Sequence, residues 1–197
     1  MTENHLILSD SNRIIYVILE SLRELVEPAT STLMEENINA AGSKNLSPQE
    51  QKCLELLTLE NTLIDFYGET GAKGIGRLAG RSAFTYLLRF FREELRFHTN
   101  DFRLQPTPRR LQKGIETLAK MFSTELGLQV EILDQKLSWD WKMQAHNTSI
   151  CGISDFVIGL LQEFCSWASG GHFYRVLTDP QYSPGSLTLR IDKKPLD

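Results

Sequence analysis

Gly68-Glu-Thr-Gly71-Ala-Lys-Gly74-Ile-Gly76-Arg-Leu-Ala-Gly80-Arg81 holds five of the thirteen glycines of this 197-residue chain, inside a helical pattern. Apolar residues recur at helical spacing before it (Leu56, Leu59, Leu63, Ile64) and after it (Phe84, Leu87, Leu88, Phe91). Ala72, Gly76 and Gly80 stand four apart and share one face, with Ala79 and Ala83 beside them. A helical glycine costs about 1 kcal/mol relative to alanine. Such a stripe implies that something comes close to the helix backbone, either another backbone or a flat ligand. The rival reading is a dinucleotide loop, because Gly74-x-Gly76-x-x-Ala79 fits that fingerprint. The fingerprint needs a strand just before it and an acidic residue about twenty residues later. Here an amphipathic helix precedes it, and Arg96 and Phe97 occupy the later positions. The phosphate-loop lysine motif is also absent. Close helix packing is the simpler reading.

The first half of the chain reads as helical. Asp10 or Ser11 can cap a helix carrying Ile14, Ile15, Ile18, Leu22, Leu25 and Val26, stopped near Pro28. A shorter helical piece follows over Thr30–Ala41, and Gly42-Ser-Lys-Asn is a break. Ser47-Pro48-x-Glu50 starts a helix with proline at its first position. That helix is expected to bend near Gly68–Gly71 and to run on to Phe97. His98–Pro108 holds two prolines and reads as a loop. Thr107-Pro108 then opens a helix with Leu111, Ile115, Leu118, Ala119, Phe122 and Leu126 on one face.

Beyond it the period falls to two. Leu128, Val130 and Ile132 alternate with polar residues; after Asp134-Gln-Lys136, so do Leu137, Trp139, Trp141 and Met143. This predicts a hairpin. A helix with Ile150, Ile153, Val157, Leu160, Leu161, Phe164 and Ala168 in register follows and ends at Gly170-Gly171. A second alternating pair, His172–Leu177 and Ser186–Ile191, flanks the turn-rich stretch Thr178–Gly185. The order is helices, hairpin, helix, hairpin, without βαβ alternation. It predicts an α+β fold in which helices pack on one face of an antiparallel sheet of about four strands.

The length suits one domain able to bury a core without disulfide or metal staples. A net charge of −4 argues against a general nucleic-acid binder. Arg77, Arg81, Arg89, Arg92, Arg96, Arg103 and Arg109-Arg110 are interleaved with acids and read as a solvated face. Cys53, Cys151 and Cys165 are odd in number and widely spaced, so they imply neither a disulfide framework nor a zinc site. They read as small buried hydrophobes of a reducing compartment. No signal peptide or membrane-spanning stretch is visible, so the expected location is cytoplasmic, with peripheral membrane contact left open.

The glycine-rich helix and the C-terminal order resemble the vinyl-4-reductase-type, or hydrocarbon-binding, domain. That family is related to the TRAPP transport-particle subunits and distantly to haem nitric-oxide-binding domains. The matching pieces are Phe66-Tyr67 through Ala79, the helix Leu111–Leu126 with Leu-Gly-Leu at its end, and the hairpin to Met143. They continue with Ser149-Ile-Cys151-Gly152 through Leu161 and Gly170-Gly171-His-Phe-Tyr-Arg-Val176. The resemblance divides the chain into an N-terminal helical extension (1–62), a ligand-binding domain (63–192) and a short tail (193–197). It departs from the family at Tyr182–Arg190, which lacks the cysteine of many members. The Tyr-x-Ser-x-Arg signature of the haem sensors is missing as well.

The resemblance implies binding rather than catalysis. Its ligands are small hydrophobic molecules: a tetrapyrrole such as a chlorophyll precursor, an acyl chain or a hydrocarbon. The expected pocket wall is Tyr67, Gly76, Gly80, Phe84, Leu88, Trp139, Trp141, Met143, Phe156 and Leu160. Trp139, Trp141 and Met143 read equally as core, and the two roles are compatible because pocket walls are mostly apolar. His146 is the candidate axial ligand for a tetrapyrrole metal. No catalytic or protein-held metal set is expected; Cys151 with His146 and Asp155 has nucleophilic residue types without established geometry. The expected partners are the ligand and a second copy of the chain, and 1–62 is a candidate dimerisation arm. The alternatives are an assembly module with an exposed apolar helix face within residues 11–41, or an accessory factor of a vinyl reductase in chlorophyll synthesis.

Overall fold

The computed structural model describes residues 13–41, 46–144, 154–179 and 186–196. Helix α1 (Arg13–Arg23) buries Ile14, Ile15, Val17, Ile18, Leu19 and Leu22. Arg13 fastens its start. The guanidinium donates to Glu94 Oε1 at 2.8 Å and Glu125 Oε1 at 3.2 Å, and lies 4.4 Å over the Phe91 ring. Helix α2 (Pro28–Ala41) buries Thr30, Met34 and Ile38. The apolar stripe read as a docking face is therefore covered by the chain's own core, which α1, α2 and the later helices share.

Helix α3 (Pro48–Phe90) opens on a capping box. The Ser47 hydroxyl accepts from the Glu50 amide at 3.3 Å, and the Glu50 carboxylate accepts from the Ser47 amide at 2.9 Å. Gly68 interrupts the helix with φ 68° and ψ 168°, a conformation that a residue with a Cβ rarely takes. The expected bend is a break at one residue. The helix stops at Phe90 rather than Phe97. Phe91 leaves helical geometry, α4 (Arg92–Leu95) is a single turn, and Arg96 takes a left-handed φ of 53°. The expected loop contains another turn, α5 (Asn100–Arg103), pinned by Phe102, whose ring stacks on Phe97 at 4.6 Å. Helix α6 (Thr107–Leu126) buries one stripe from Leu111 to Leu126 and ends at left-handed Gly127, φ 65°.

Strands β1 (Gln129–Asp134), β2 (Ser138–Gln144), β3 (Val176–Thr178) and β4 (Ser186–Asp192) form an antiparallel sheet ordered β1-β2-β4-β3, with helix α7 (Ser154–Ser169) between β2 and β3 in sequence. The α+β class holds. The central pair is β2 with β4, with Trp139 opposite Ile191, Trp141 opposite Leu189 and Met143 opposite Leu187. These six side chains are buried, whereas Asp140, Lys142, Thr188 and Arg190 hold the other face. The sheet is covered on one side, as period-two alternation dictates. The last ladder is shorter than the alternation suggested. Gly170 and Gly171 take φ of 82° and 107°, and the carbonyls of Phe173 and Arg175 accept from Leu196 and Asp192, so pairing with β4 starts at Val176. No helix among the described residues is long and apolar enough to cross a membrane.

Candidate functional site

The glycine stripe meets a helix. A Cβ built on Gly80 would fall 1.9 Å from the Phe156 carbonyl oxygen, and one on Gly159 would fall 2.0 Å from the Arg77 carbonyl oxygen. Helices α3 and α7 therefore cross with backbones in mutual contact, each through a glycine of its own. Gly76 lies at the margin, where a Cβ built on it would stand 3.4 Å from Asp155 Cβ and the Arg77 guanidinium donates to Asp155 Oδ1 at 2.7 Å. Phe156 and Leu160 belong to this crossing and are buried. Gly159 carried a weak sequence signal: a small residue in an otherwise apolar helix.

The remaining wall candidates occupy other neighbourhoods. Trp139, Trp141 and Met143 lie on the inner sheet face, at most 3% exposed. The Trp141 ring meets Phe122 of α6 edge-on at 6.0 Å, and Lys193 lies over the Trp139 ring. Neither indole N–H finds a hydrogen-bond acceptor among the described residues, although both are buried. Tyr67 is half-buried just before the Gly68 break, its hydroxyl 3.5 Å from Thr30 Oγ1. Phe84 packs edge-on against Phe164 and Trp167 at 6.1 and 5.5 Å. His146 and Cys151 lie outside the described residues.

Leu88 lines a cleft that the sequence did not announce. About 280 Å³ in volume, it is bounded by Leu88, Arg92, Leu95, Phe97, His98, Arg103 and Trp167. It joins the end of α3 to α7 across about eighty residues of sequence, and only the folded chain brings these side chains together.

Burial pushes the Cys165 thiol from its ordinary 9.0 up to about 12. At pH 8 it should stay unmodified by iodoacetamide in the native protein, while half-buried Cys53 reacts; peptide mass spectrometry reads both. The unfolded thiol ionises near 9.0 and the folded one near 12. Only the unfolded chain gives up this proton in that window, so stability should fall as the pH rises through it.

No protein-family model and no curated protein matches the chain. Solved structures match it in fold. The Fe(II) unliganded H-NOX protein from K. algicida has a TM-score of 0.57 at 10% identity, covering 90% of this chain and 95% of that one. An H-NOX variant from T. tengcongensis gives 0.56 at 13%, over 95% and 100%. The H-NOX from Shewanella woodyi in the Fe(II)CO ligation state gives 0.53 at 14%, over 92% and 93%. The likeness spans nearly the whole chain, including the N-terminal helices that the sequence resemblance left out. The architecture of this chain is thus that of the H-NOX, or haem nitric-oxide-binding, domains.

Proposed function

We propose that this chain is a non-catalytic domain that holds a small hydrophobic ligand between its helices and the inner face of its sheet, in the manner of the vinyl-4-reductase-type domains. The observation that carries this reading is the pair of buried indole N–H groups of Trp139 and Trp141, both without an acceptor among the described residues. An unsatisfied buried donor costs about 1–3 kcal/mol. A ligand with an apolar body and a carbonyl, carboxylate or ring-nitrogen acceptor removes that cost. The fold is in keeping with this, since its neighbours include Fe(II) proteins and one whose porphyrin is distorted by the protein around it.

His98 and His172 are exposed, and no group of three His, Cys, Asp or Glu side chains converges among the described residues. If the ligand is a metallated tetrapyrrole, the axial role falls to His146. Helix α6 supplies Phe122 as the ring facing Trp141. The cysteine usage suits a cytoplasmic carrier.

The test is to purify the chain from its own source, record its absorption spectrum and analyse an organic extract by mass spectrometry. The expected result is a pigment or lipid near one per chain. In the Trp139→Phe, Trp141→Phe protein that occupancy should drop, and stability should fall by a few kcal/mol (about 1–2 per ring) because each smaller ring leaves volume unfilled in the core. A wild-type chain that is colourless and free of extractable ligand overturns the proposal.

A further inference from the structure

The cleft between α3 and α7 has the makings of a second site, independent of any ligand in the interior. Its floor is Leu95 and Phe97, 3% and 1% exposed. Its wall is Trp167, held at 5.5 Å by Phe84, at 5.9 Å by Phe97 and in a stack with Phe102 at 6.1 Å and 18°. In spite of these three contacts, Trp167 remains 41% exposed. A large ring fixed on three sides and open on the fourth is a preorganised platform, because its rotamer freedom is spent before anything binds.

The rim is cationic. Arg92, His98 and Arg103 line the opening. Arg92 and Arg103, like several other arginines of this chain, have no carboxylate partner among the described residues, so their guanidinium groups are open to an anion. Glu94, two residues after Arg92, is taken by Arg13. Left-handed Arg96 turns the chain between Arg92 and His98, and the Arg103 carbonyl accepts from Arg110 Nη1 at 3.0 Å, which steadies the other side. Guanidinium groups recognise phosphate and carboxylate through paired N–H donors.

We propose that this cleft binds a small aromatic anion, a single ring system bearing a phosphate or carboxylate, with the ring on Trp167 and the anion on Arg92 and Arg103. The volume sets the size class, lying just below the range of about 300–1,000 Å³ typical of drug-sized sites. Calorimetry on the full chain at low salt, with phenyl phosphate, benzoate, inorganic phosphate and phenol as probes, tests it. Phenyl phosphate or benzoate should bind at least about tenfold more tightly than inorganic phosphate and phenol, since each of those carries half of the recognised chemistry. Whichever of the two binds tighter names the anion. Arg92→Ala and Arg103→Ala should each weaken that binding about tenfold, the size of one lost charge-assisted hydrogen bond. Both side chains are exposed, so unchanged melting of the variants separates lost binding from lost fold. The proposal is overturned if the aromatic anions bind no better than inorganic phosphate, or if neither arginine variant alters their affinity.

Discussion

Gly80→Ala should destabilise the fold by about 3 kcal/mol or more, at or beyond the upper end of ordinary overpacking. The new methyl would sit 1.9 Å from the Phe156 carbonyl oxygen and 2.9 Å from its carbon, with the Leu160 amide nitrogen at 2.8 Å. All three are backbone atoms of α7, so no side chain can rotate out of the way, and the two helices must separate along their contact. Total stabilities of natural domains are about 5–15 kcal/mol, so this single methyl removes a large share. Gly74→Ala is the matched control. It lies six residues earlier in the same helix with nothing within 4 Å of its Cβ position. There the methyl should stabilise by about 0.5–1 kcal/mol through helix propensity alone. Urea unfolding of both variants reads the contrast as midpoints moving in opposite directions at constant slope. Equal shifts of the two would mean that α3 and α7 do not cross on Gly80.

Trp141→Ala should cost about 3–5 kcal/mol, the range for emptying a large buried aromatic site. Trp141 is fully buried, pairs across the sheet with Ile132 and Leu189, and takes the edge of Phe122. Its removal opens a hole between the central strand and α6 that neither a β-sheet nor a helix fixed by its own stripe can collapse to fill. Thermal melting should show a drop of roughly 6–20 °C, using the conversion for chains of this size. A loss under about 1 kcal/mol would show instead that the ring lines space already open to solvent.

Much of this fold was legible in the chain because periodicity reports burial. The change from 3.6 to 2 at Leu128 located the hairpin, and alternation in Trp139–Met143 identified the buried face. The helix ends and the strand order were less legible. Phe97 and Phe102 look like the tail of a helical stripe, yet their burial is achieved by a left-handed Arg96 and a separate turn. Nothing local in Ser186–Asp192 states that it pairs with β2 rather than only with the strand before it; the partner is chosen by which inner faces match. The glycine stripe told of a close approach but not of its other half, since Gly159 lies almost eighty residues away. The cleft was hidden for the same reason. Arg92 and Arg103 looked like members of a solvated series, and only the docking of Trp167 beside them gives the positive charge an aromatic wall to work against.

The sheet ends in two unequal borders. On one side β3 offers three residues, and on the other β1 sets Glu131 and Asp134 along its run. A border needs length and neutral side chains to recruit a passing strand, and short or charged ones discourage it. The chain thus carries its own guard against fibrillar association, and replacing Glu131 and Asp134 by threonine would take half of that guard away.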